Sequence, residues 1–138
     1  MKFVKICDLV EPPTPPAGQM DIRAFPGDWV NSNSDTSGIA RLKVAEANGG
    51  LTLQVFAIGP EALVDWGTAP VSLFASTPSS NVGAGFTSVF DFGFAETRLQ
   101  GMIMKGLLVL AQFHHFKDDS HRAAYFVREY FALDHGRF

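Results

Sequence analysis

The chain has 138 residues, 46% of them hydrophobic and 18% charged, which is one domain's length and excludes a disordered segment. Lys and Arg number 11 against 14 Asp and Glu, giving a formal net charge of −3. That balance, with no Lys/Arg run, excludes a basic nucleic-acid-binding face. The single cysteine, Cys7, excludes an internal disulfide framework and a multi-cysteine zinc site. No stretch approaches the roughly 18 apolar residues of a membrane helix. The start, MKFVKICDLVEPPTPP, lacks the apolar core of a signal peptide. A soluble, cytoplasmic protein with no membrane partner is expected.

Phe3 to Val10 is short and β-rich, and then meets Pro12, Pro13, Pro15 and Pro16. Prolines at that density make a stiff extended linker. Residues 1–24 are therefore predicted to be an N-terminal arm and Pro-rich linker, lying across the main fold or on a neighbouring subunit, or free as a tail. Residues 25–138 form the predicted domain.

Within it strand follows strand. Trp29 to Asn31 comes first, then Ile39 to Glu46, the turn signal Asn48-Gly49-Gly50, and Leu51 to Ile58. Gly59-Pro60 breaks the pattern, and a loop is predicted through Asp65-Trp66-Gly67, with Trp66 either a lid or a packing residue. Pro70 to Ala75, Phe86 to Phe94, Arg98 to Met104, Leu107 to Phe116 and Arg122 to Leu133 follow, with tight turns at Lys105-Gly106 and Lys117 to Ser120. Eight strands with short connections and almost no helical period predict an all-β, antiparallel up-and-down meander. Closing it into a barrel removes its edges. A barrel of eight strands is either filled by side chains or holds one small ligand.

Phe25-x-Gly27-x-Trp29 in the first strand and Arg128 in the last carry a resemblance. Together with the eight strands they resemble the calycin superfamily of lipocalins, fatty-acid-binding proteins and avidins. Residues 25–133 are also similar to bacterial lipocalin-like single domains. The resemblance implies that Trp29 closes one barrel end and that Arg128 stacks over its ring, a contact worth about 0.5–2 kcal/mol. Gly27-x-Trp29-x-Asn31 further resembles the avidin start, in which the Asn reaches the polar head of biotin. This chain departs from avidins at Ser32-Asn33-Ser34-Asp35 and has only one other Trp, Trp66. Asn31 is thus either an inward polar group or a turn residue bonding its own backbone.

"QFHHFKDDSHR" places three histidines and two aspartates within eleven residues. On a strand His114 and His115 point to opposite faces and cannot share a metal, so a solvated hairpin tip is expected and no metal site. An even turn at Lys117 to Ser120 would set His115 opposite Arg122, Ala111 opposite Phe126 and Val109 opposite Arg128. His115, Phe113, Phe126, Arg128, Tyr130, Met102, Gln100 and Arg98 then share a face. With Arg128 over Trp29, that face is read as the barrel interior. The opposite face, with Leu108, Leu110, Gln112, His114, Tyr125, Val127 and Glu129, is read as a subunit interface in a homo-oligomer. A one-residue slip would exchange the two. The Phe86/Phe90/Phe92/Phe94 stripe joins the first face only if Ala95-Glu96-Thr97 is an odd-length loop.

Thirteen Phe without a nucleophile motif, a P-loop or a dinucleotide fingerprint point to a barrel that encloses a small apolar, aromatic molecule. Its expected contacts are Trp29, Asn31, Phe90, Phe92, Arg98, Gln100, Phe113 and Phe126. Ala40, Ala111 and Ala124 are expected to leave room inside. The alternative is a cofactor-free cyclase or isomerase of specialised metabolism, which folds a reactive substrate into one conformation and moves a proton with His115 or Tyr130. Neither reading needs a cofactor.

Overall fold

The computed structural model describes residues 20–135. Nine strands form one antiparallel sheet, and no helix occurs among the described residues. They are β1 (Gly27–Asn31), β2 (Ile39–Ala47), β3 (Gly50–Ala57), β4 (Val64–Pro70), β5 (Ser72–Ala75), β6 (Gly83–Asp91), β7 (Ala95–Met104), β8 (Leu107–Phe116) and β9 (Tyr125–Leu133). Alternation of apolar and polar residues sets their burial: in β3, Leu51, Leu53, Val55 and Ala57 are buried and the residues between them are not. The two hairpin turns read from the sequence form with positive φ at both central residues, Asn48 (51°) with Gly49 (80°) and Lys105 (53°) with Gly106 (81°). Those angles match the twist of the flanking strands.

The strand order is β4-β3-β2-β1-β9-β8-β7-β6-β5. First and last strands are neighbours, with Trp29 opposite Leu133 and Asn31 opposite Phe131. The sheet's two outer members are consecutive in the chain and joined by Val71 alone. Val64 to Ala75 thus runs as one bent strand whose first half pairs with β3 and whose second half pairs with β6. Val71 N–H donates to Leu51 O (3.1 Å) and Ser88 Oγ–H to Pro70 O (2.9 Å), so the seam is bonded from both sides. The result is a nearly closed barrel. Nine strands replace the eight expected because Asp65-Trp66-Gly67 lies in β4. Its turn chemistry is real but local. Asp65 Oδ1 accepts the Gly67 N–H (2.7 Å), Gly67 has φ 90°, and the β3–β4 register slips between Gln54 and Phe56 as a bulge.

At its lower end the barrel is stoppered by Asp21 and Ile22, residues expected in the arm, together with Phe25 at the start of the predicted domain. Asp21 pairs with Val82, Ile22 is buried, and the Phe25 ring meets Phe86 edge-on at 5.7 Å. Trp29 lies above them, fully buried, its indole N–H donating to Phe25 O (2.9 Å). Residues 1–19 of the expected arm lie outside the described residues.

The partition of β7, β8 and β9 into two faces is as the sequence predicts, but the faces are exchanged. The β8–β9 connection runs from Lys117 to Ala124, because Asp118, Ser120 and Arg122 bond one another instead of pairing across a hairpin. The register moves by two residues, so Ala111 faces Arg128 and Phe113 faces Phe126. An even shift keeps every side chain on its face. Phe86 stands on the face that is turned inside. It points inward opposite Gly101, where a Cβ would stand 2.3 Å from its ring. The Thr97/Leu99/Gly101 face of β7 is therefore the interior, and Leu108, Leu110, Gln112, Glu129 and Phe131 follow it through the register.

Candidate functional site

The lower and middle interior is filled by Trp29, Phe131, Leu42, Leu53, Leu99, Leu108 and Leu110, all fully buried. Burial of each such side chain stabilises the fold by about 1.5–3 kcal/mol. The expected apolar cavity above Trp29 is replaced by this packing. Ala111 sits on the outer face, Ala124 in the β8–β9 connection and Ala40 at the β2 bulge, so none opens space within.

Concavity begins above the filled zone, at the upper mouth, with a volume of about 600 Å³. The Asn33–Gly38 connection, the start of β4 and the adjoining ends of β8 and β9 surround it. Its floor is polar. Glu129 Oε2 accepts from Asn31 Nδ2 (2.6 Å) and Thr36 Oγ1 (2.7 Å), and Glu129 Oε1 accepts from Gln112 Nε2 (2.9 Å). Asn31 Nδ2 also donates to Ile39 O (2.9 Å), and Asn31 Oδ1 accepts the Asn33 N–H (2.8 Å). Gln112 Oε1 meets His114 Nε2 at 3.2 Å, and His114 Nδ1 meets Thr97 Oγ1 at 2.8 Å.

The carboxylate sets the direction of this chain. It can only accept, so the Gln112 amide turns its NH₂ toward Glu129 and its oxygen toward His114. His114 then carries its proton on Nε2 and accepts the Thr97 hydroxyl on Nδ1. Burial holds the His114 imidazole below its ordinary pKa, against the opposing pull of the Glu129 charge. The neutral ring stacks on Tyr125, centroids 4.4 Å apart. Every buried polar side-chain atom among the described residues has a partner. Gly38 backs the carboxylate closely: a Cβ there would stand 3.3 Å from Glu129 Oε1. On the other side Trp66 half-covers the mouth, resting on Phe92 (5.0 Å) and Phe90 (5.7 Å).

Of the expected ligand contacts, the interior holds Trp29, Asn31 and Phe90, with Phe92 half-buried behind Trp66. Arg98, Gln100, Phe113 and Phe126 are on the outer face, exposed, and their reading as interior residues is corrected. His115 and Tyr130, the proposed proton-transfer groups, are outside as well. Arg128 is exposed between Phe126 and Tyr130, on the face away from buried Trp29. The Trp29–Arg128 stack implied by the calycin resemblance is not formed; the indole is held by Phe25 instead. Asn31 takes both roles left open for it, reaching inward to Glu129 and bonding the backbone of its own turn.

Sequence reasoning missed Thr36, Thr97, Gln112, His114 and Glu129 as a group. The available signal was Gln112 and His114 at period two on an otherwise apolar face, with an acid on the same face of the next strand. Such groups on a buried face need partners, and they are each other's. Comparison with family models, curated proteins and solved structures finds no match to this chain. Among the described residues no helix is long and apolar enough to cross a membrane.

Proposed function

We propose that this protein binds a small molecule in the mouth of its barrel, with the molecule's polar end on the Glu129 floor and its flat apolar body against Trp66 and Tyr125. The observation that carries this reading is a part-buried carboxylate whose hydrogen bonds hold it rigid at the base of a concavity of ligand size. A floor needed only for stability would be served by apolar side chains, as the rest of the interior is. Titration of the Trp fluorescence with flat aromatic compounds tests it. Saturable one-site quenching is expected, and Val127→Trp, which fills the mouth between Tyr125 and Glu129, abolishes it without loss of fold. Absence of saturable binding across such compounds, cationic and neutral alike, overturns the reading.

A cofactor-free cyclase or isomerase has less support. His115 and Tyr130 do not reach the interior, and Gln112, an amide with no transferable proton, separates Glu129 from His114. Turnover of a bound compound would reverse that preference.

The outer face of β5 to β9 gives a homo-oligomer its most favourable contact. A trough of Ala75, Ala84, Gly85 and Ala111 is rimmed by exposed Phe74, Met102, Met104, Phe126 and Tyr130. Small floor and large rim on one face suit a two-fold pairing, the rim of each copy entering the trough of the other.

A further inference from the structure

We infer that the molecule held in the barrel mouth is an organic cation, a protonated amine on an apolar or aromatic body. This rests on the mouth being a binding site at all. Four observations converge on the charge.

The first is the state of the carboxylate. An ionised carboxylate offers about four lone-pair positions. Asn31 and Thr36 take two on Oε2 and Gln112 takes one on Oε1, which leaves Oε1 able to accept once more. All three donors are neutral. They orient the charge without cancelling it.

The second is the absence of a counter-charge. No Lys or Arg is among the described residues that line the mouth, and Glu129 forms no ion pair there. The cations of the β8–β9 connection are engaged elsewhere, Lys117 with Asp91 (2.7 Å) and Arg122 with Asp118 (2.9 Å). The exposed rim adds a second acid, Asp35. A half-buried negative charge without a partner is costly, and a bound cation relieves that cost.

The third is the neutral state of the one basic group in the lining. His114 donates from Nε2 to Gln112 and accepts from Thr97, so it contributes hydrogen bonds and no positive charge. The fourth is the aromatic wall. Trp66 and Tyr125 line the same space, and ring faces attract cations and flat apolar bodies alike. An ammonium has three N–H donors and no acceptor. It can meet Glu129 Oε1 while its substituent lies along these rings. An anionic ligand would meet Glu129 and Asp35 with like charge, and a neutral one would leave the carboxylate uncompensated.

Three compounds with the same ring and chain separate the possibilities: phenethylamine, phenethyl alcohol and 3-phenylpropanoate, titrated calorimetrically at neutral pH. The amine is expected to bind about tenfold or more tightly than the alcohol, with the carboxylate weakest. Raising the salt from about 20 mM to about 500 mM should weaken the amine and leave the alcohol nearly unchanged. Glu129→Gln should bring the amine to within about threefold of the alcohol. The salt series reads the same charge in the unaltered protein, should that variant fold poorly. Equal binding of all three compounds, or preference for the carboxylate, overturns the cation while leaving the mouth as a binding site. Failure of all three, together with the flat aromatic compounds, overturns both.

Discussion

Gln112 is the residue on which the polar floor turns. Its two ends differ, its neighbours differ, and only one orientation satisfies both Glu129 and His114. Protonation of His114 would set a positive ring among Thr97, Gln112 and Tyr125, beside Glu129. Burial disfavours that charge more than Glu129 favours it, so the folded pKa lies below the unfolded value near 6.5. Between the two values the unfolded chain binds more protons than the folded one. The stabilisation from a neutral His114 is therefore complete above about pH 6.5 and declines as pH falls through the folded value. Thermal unfolding midpoints measured from about pH 7.5 down to about pH 5 should drop, and His114→Gln should flatten that part of the curve. An unchanged slope in the variant would remove His114 from the account.

The pairing of β6 with β7 shows how a missing side chain makes room for a large one. Phe86 fits inside because Gly101 opposite it has no side chain. Gly101→Ala should cost about 1–3 kcal/mol by overpacking, read as a lower urea midpoint. Phe86→Leu removes the ring and also costs stability alone. The two residues touch, so the double variant should lose less than the sum of the single losses. Additive losses would mean that the Phe86–Gly101 contact does not control the packing. In β4 the same economy appears as a bulge: Asp65 and Gly67 make a turn's hydrogen bond without ending the strand, and this aims Trp66 at Phe90 and Phe92. The β8–β9 connection does the reverse. Its polar residues satisfy one another locally, and β9 begins only at Tyr125.

Across the whole molecule, apolar residues cover both surfaces of the sheet between β6 and β9. Closure takes one surface into the core and leaves Phe126, Phe113, Met102, Met104 and Tyr130 outside, each more than two-fifths exposed. A contiguous surface of this kind on a free monomer is uncommon. Light scattering at micromolar concentration should report a dimer. Phe126→Glu should give a monomer with an unchanged far-ultraviolet spectrum, since the side chain leaves no core contact behind. A monomer for the unaltered chain would show that the outer face does not serve self-association.

Local chemistry was legible from the residues alone. Asn48-Gly49 and Lys105-Gly106 made the turns they announced: Gly takes positive φ freely at the second place, Asn48 tolerates it at the first, and the tight turn holds Lys105 in it. Period-two alternation identified the strands other than β4, their antiparallel meander and the barrel, and separated the two faces of β7, β8 and β9 correctly. It could not say which face was inside, because both are apolar and a sheet looks the same from either side until it curls. Closure decided that, taking in the face that carries Phe86, Leu99, Leu110 and Phe131. With it went the site: Arg98, Gln100, Phe113 and Phe126 moved outward, while Gln112, His114 and Glu129 came together with Asn31. Those four belong to three strands, and they meet because β1 pairs with β9 and β9 with β8. Hydrogen bonds between residues 98 positions apart, such as Asn31 to Glu129, exist only after the ends of the chain have found each other.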